Sequence, residues 1–132
     1  MEKSYTIKYF TNYWKSLLVA IIIAYGSLAS GEDLPNSSFL SIPYSDKVIH
    51  ALMYAGLSIV LLAANNRLAI KRNYLYTLFI ATSYGAGMEL LQMTLTETRQ
   101  AEFLDIMANT LGVLVGILIF KILLKKKWVT YL

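Results

Sequence analysis

The chain reads as four apolar stretches separated by short polar connections. They cover residues about 13–30, 47–64, 74–95 and 104–124, each close to the roughly 20 apolar residues that a membrane-spanning helix requires. Unbroken runs at 17–24 and 111–120 suit helices facing lipid, and the period-two alternation of a membrane barrel strand is missing. The pattern predicts an all-α, polytopic membrane protein, a bundle of four transmembrane helices forming one domain over 1–132.

The polar connections are sorted by charge. Of the twelve Lys and Arg residues, ten fall in segments facing one side, while seven of the eight acids belong to the other. Lys3, Lys8 and Lys15 accompany the first stretch. Arg67, Lys71 and Arg72 separate the second from the third, and Lys121, Lys125, Lys126 and Lys127 close the fourth. Basic residues in short loops stay on the cytoplasmic side, so both termini are expected inside. Segments 31–46 and 96–105 then face outward, carrying Glu32, Asp33, Asp46, Glu97, Glu102 and Asp105. Tyr5, Tyr9, Tyr13, Trp14, Tyr74, Tyr76, Trp128 and Tyr131 fit an aromatic belt at the inner interface.

Composition agrees with this class. At 57% hydrophobic and 15% charged, with a mean hydropathy of +0.53, the chain is more apolar than soluble domains, in which about a quarter of residues are charged. The absence of Cys excludes disulfides, thiolate metal sites and a Cys nucleophile. The net charge of +4 sits mainly in one loop and the tail. It reads as topology and lipid headgroup contact rather than nucleic-acid binding. A basic start, an apolar core and the small residues Ser27 and Ala29 also resemble a cleavable signal peptide. Cleavage would leave three helices and the same outer face.

Polar residues near the apolar stretches carry the chemistry, because ionisable groups inside a bilayer face the bundle interior or a wet cavity. Glu89 lies fifteen residues into the third stretch, roughly 22 Å from its inner end at ~1.5 Å per residue, and Gln92 shares its face. Asp46, Lys47 and His50, the only histidine, open the second stretch. Asp46 and His50 are spaced i,i+4, so the carboxylate could set the imidazole tautomer for general-base work. The simpler alternatives are an Asp46 helix cap with an ordinary His50 contact, and an interhelical hydrogen bond for Glu89. Asp105 and Asn109 share a face of the fourth stretch, ahead of Gly112 and Gly116, a spacing that lets helices approach closely and offers a homo-oligomer seam. Arg99 could clamp a phosphate or carboxylate, or simply pair with Glu97 or Glu102. One His and scattered carboxylates argue against zinc. Oxygen ligation of a hard cation stays open, and no cofactor is identified.

Asp46-Lys47-x-x-His50, Glu89-x-x-Gln92, Arg99 and Asp105-x-x-Ala108-Asn109-Thr110-x-Gly112 resemble, in this order, the motif series of VanZ-like membrane proteins. Ser27-Leu28 followed by Gly31 and Pro35 resembles the end of that family's first helix, so the resemblance runs from about residue 25 to 118. It implies a small multi-spanning protein of the bacterial cytoplasmic membrane and speaks against signal cleavage. The founding member is linked with resistance to glycopeptide antibiotics of the teicoplanin type.

Two function classes follow. In one, the outer cluster binds or processes a lipid-linked cell-envelope component or an amphipathic glycopeptide. Lys47 and Arg99 would hold a phosphate, and His50, oriented by Asp46, would share acid–base work with Glu89. Gln92, Asp105 and Asn109 would contact the ligand. In the other, the same residues are structural and hold the helices together. No Ser stands in a nucleophile elbow, so no motif forces catalysis.

Overall fold

The computed structural model describes residues 2–28, 43–95 and 103–125, with side chains from Ile7 onward. They form four helices: α1 (Glu2–Leu28), α2 (Ser45–Arg67), α3 (Asn73–Leu95) and α4 (Phe103–Lys125). No strand occurs among the described residues. α1 starts well before the apolar stretch at 13–30 and takes in Ile7 to Thr11, which are exposed. α2 and α4 are long and apolar enough to cross a membrane.

Contacts along the helices define an antiparallel bundle of the up-down-up-down kind. Lys47 near the start of α2 reaches Asp105 near the start of α4, and Leu62 and Ala63 near the end of α2 share a cluster with Phe120 near the end of α4. These two helices therefore run parallel. α3 opposes them: Thr77 near its start bonds Asn65 late in α2, while Glu89 near its end meets His50 and Asn109. α1 runs with α3, placing Tyr13 beside Asn65 and Ser27 beside Gln92.

The turn between α2 and α3 reverses the chain in a few residues. Ala69 N–H donates to Asn66 O at 3.1 Å and Ile70 N–H to Asn65 O at 2.9 Å, the paired bonds of a Schellman cap. Ala69, at φ 53°, takes the left-handed position that glycine usually fills.

α2 and α4 approach most closely, at the two glycines. A Cβ at Gly112 would collide with the carbonyl oxygen of Ala51, and one at Gly116 with Ala55 O and Ser58 Oγ. Both glycines are thus buried against α2 of the same chain. Around this seam lie Ile23, Tyr54, Leu57, Leu61, Ala81 and Val113.

Polarity is reversed relative to a soluble bundle. Ser16, His50, Ser58, Asn65, Thr77, Glu89, Gln92 and Asn109 are buried, whereas Leu17, Ile21, Ile22, Leu52, Phe79, Leu90, Leu118 and Ile122 are exposed. Soluble monomers rarely expose apolar patches on this scale, and buried polar groups of this kind serve as interhelical glue in lipid.

The aromatic residues divide between two environments. Trp14 and Tyr74 stack with Lys15 and Lys121, whose Nζ atoms lie 5.8 Å and 5.0 Å from the ring centres. Tyr13 departs from the expected belt. Its hydroxyl turns inward and donates to Asn65 Oδ1, since Asn65 is only 3% exposed and a buried amide needs partners. Tyr5, Trp128 and Tyr131 fall outside the described side chains.

Candidate functional site

The acidic end of the bundle gathers residues from three helices. Tyr44, in a left-handed conformation at φ 64°, leads into α2 without a side-chain cap. Asp46 follows in the first turn of α2, and Asp105 occupies the equivalent place in α4, where the positive end of each helix favours an acid. Because α2 and α4 run parallel, these two turns are neighbours. Lys47 spans them, its Nζ 2.7 Å from Asp46 Oδ2 and 2.7 Å from Asp105 Oδ1. The Lys47 and Asp105 side chains are only 15% and 11% exposed, so this pair is screened less than a surface bridge.

One turn deeper lies a fully interhelical network. His50 Nδ1 is 3.1 Å from Asn109 Oδ1 and 3.6 Å from Glu89 Oε1. Asn109 Nδ2 donates to Glu89 Oε1 at 3.3 Å. All three residues are buried. Glu89 Oε2 and the Tyr54 hydroxyl, also buried, have no hydrogen-bond partner among the described residues. Such atoms are rare in folded proteins. Gly85, one turn before Glu89, makes room: a Cβ there would come within 3.2 Å of Asn109 Cβ and of Tyr54 Cε1. The Tyr54 ring in turn leans on Tyr84, with centroids 6.3 Å apart.

Asp46, Lys47, His50, Glu89, Asp105 and Asn109 therefore converge at one end of the bundle. Gln92 lies one turn beyond Glu89, where its Nε2 donates to the Ser27 carbonyl at 2.7 Å and ties α1 to α3. Arg99 falls outside the described residues. The expected contact between Asp46 and His50 is replaced by other partners. Asp46 sits at the rim with 56% of its side chain exposed and pairs with Lys47. His50 faces inward to α3 and α4, because the bundle interior offers it an amide and a carboxylate. Asp46 is not the cap of α2 either, since Tyr44 holds that position.

Tyr54 and Gly85 were not among the candidates read from the sequence, although Tyr54 follows His50 at i+4 and Gly85 precedes Glu89 by the same interval; Ser27 was read only as part of the end of the first helix. A second buried polar chain, from Tyr13 through Asn65 to Thr77, joins α1, α2 and α3 at the basic end. An open, largely apolar groove of about 580 Å³ beside Tyr84, Gly87, Met88 and Leu91 is a separate feature of α3.

Chemically, the cluster provides one imidazole bridged to one carboxylate by an amide, and an ammonium shared by two further carboxylates. The two acids on Lys47 offset its charge, so an anion at this rim needs a further cation or must displace an acid. Among the described residues, no group of three or more His, Asp or Glu side chains is arranged to hold a metal ion.

An all-helical chain with a polar interior, an apolar exterior and two helices able to cross a bilayer points to a membrane protein. The model of the VanZ/LLP1 family matches residues 5–124. The chain belongs to that family, and the match takes in nearly all of the four helices and the whole of the polar cluster. No curated protein and no solved structure matches it significantly.

Proposed function

We propose that the chain is a multi-pass protein of the bacterial cytoplasmic membrane, with four spanning helices, both termini in the cytoplasm and its polar cluster at the outer leaflet. Charge sorting supports this orientation. Lys8, Lys15, Arg67, Lys71, Arg72, Lys121 and Lys125 lie toward one end of the antiparallel bundle, and Asp46, Glu89 and Asp105 toward the other, as the positive-inside rule requires.

At the outer end the protein handles a lipid-linked cell-envelope component or an amphipathic glycopeptide. The observation that carries this reading is the buried Glu89 carboxylate, bonded on one oxygen through Asn109 and without a partner among the described residues on the other. A fully satisfied network rigidifies a core, whereas this one leaves a buried acceptor open. Lys47 and Arg99 supply the cations for a phosphate, Asp105 and Gln92 border the contact region, and His50 with Glu89 supplies acid–base capacity. Asp46 acts on this site through Lys47.

The second reading treats the cluster as interhelical glue, favoured by the burial of His50, Glu89 and Asn109 and by their bonds across three helices. Native mass spectrometry of the detergent-purified protein separates the two. A phosphorylated or glycosylated lipid retained by the wild type and lost from Arg99→Ala and Glu89→Gln establishes a ligand site. Equal spectra for all three, with no bound species, leave the structural reading.

A further inference from the structure

The donors and acceptors around His50 determine which ring nitrogen is available for chemistry. Nδ1 has two oxygen neighbours, Asn109 Oδ1 at 3.1 Å and Glu89 Oε1 at 3.6 Å. Asn109 Nδ2 donates to the same Glu89 oxygen at 3.3 Å. Glu89 Oε1 accepts here whether the group is ionised or protonated on its other oxygen, so Glu89 fixes the polarity of the chain. It takes the hydrogen bond of the Asn109 amide N–H, the amide turns its carbonyl to the ring, and the carbonyl needs a donor there. That donor is Nδ1–H. The opposite arrangement would face a lone pair on Nδ1 with a carboxylate oxygen.

We infer that Asn109, anchored by Glu89, is a positioning residue that holds neutral His50 as the Nδ1–H tautomer, leaving the Nε2 lone pair as the proton-accepting atom of this end of the bundle. Second partners set the tautomer and orientation of functional imidazoles in the same way elsewhere. The anchor therefore comes from α3 and α4 rather than from Asp46 on the helix of His50 itself. The His50 side chain keeps 9% of its surface open. The ligand group suited to Nε2 is a hydroxyl or ammonium, which donates a hydrogen bond and can yield its proton. This step rests on the reading of His50 as an acid–base group.

The chain has a single histidine, so selective ¹⁵N-histidine labelling of the full-length protein in detergent reports on His50 alone. At a pH where the ring is neutral, the wild type is expected to show a protonated Nδ1 and an unprotonated Nε2. Asn109→Leu combined with Glu89→Leu removes both oxygens near Nδ1 and should shift the ring toward the Nε2–H form while the protein remains folded by size-exclusion chromatography.

A wild-type spectrum dominated by Nε2–H overturns the assignment, as does a folded Asn109→Leu/Glu89→Leu protein with an unchanged tautomer. The wild-type spectrum decides by itself even if the double variant does not accumulate. Lipid retention measured on the same sample by native mass spectrometry is a separate readout, so loss of the ligand reading and loss of the tautomer assignment give different results.

Discussion

Replacing Gly112 by alanine tests the close approach of α2 and α4 on which the polar cluster depends. A Cβ at this position would lie 2.8 Å from the Ala51 carbonyl carbon and Cα, and nearer still to the oxygen. Carbon pairs rest at about 3.5–4.0 Å, so the helices must separate by about 0.7–1.2 Å. The opposing atoms are backbone, and no rotamer change can relieve them. Overpacking of this kind costs about 1–3 kcal/mol. Loosening the His50 to Asn109 bond one turn away adds about 1 kcal/mol, and the helix propensity gained over glycine returns about 1 kcal/mol.

The net loss is therefore about 1–3 kcal/mol, or roughly 4–12 °C in Tm for a chain of this length. Gly56→Ala in α2 is the control, because nothing lies within 4 Å of its Cβ, and its expected effect is neutral to slightly stabilising. Thermal unfolding in one detergent, followed by circular dichroism, ranks the two variants. A Gly112→Ala protein as stable as Gly56→Ala would refute the close seam.

Lys47→Met removes the cation from Asp105, whose side chain is only 11% exposed. The loss should be about 3 kcal/mol, since an unpaired, largely buried charge is left behind. Adding Asp105→Asn should recover most of it, and a double-mutant cycle with no coupling would contradict the bridge. Reporter fusions at Lys71 and at the C-terminus should both read as cytoplasmic, and one after Tyr44 as external. An external signal at Lys71 would invert the bundle and remove the outer-leaflet site.

The sequence carries helix number and spacing openly, because hydropathy and chain length act on each segment independently of the others. Charge sorting is legible for the same reason: each loop answers to the membrane, not to its neighbours. Asp46, Lys47, His50, Glu89, Asp105 and Asn109 were readable as candidates because polar residues are costly in apolar helices. Their pairing was not. The i,i+4 spacing joins Asp46 to His50, yet spacing along one helix says nothing about partners on the others. Tyr13 reads as an interfacial anchor until Asn65, 52 residues away, turns out to face it.

Local hydrophobicity and local charge are enough to predict an all-helical chain in which most acids and most bases fall in opposite sets of connections. That α2 and α4 run in parallel at a glycine seam follows from helix packing alone. That contact sets the two acidic first turns side by side around Lys47 and brings the α4 amide and the α3 carboxylate to His50. The physical reason is that a hydrogen bond or ion pair forms over about 3 Å. Whether residues tens of positions apart come that close depends on how the helices pack.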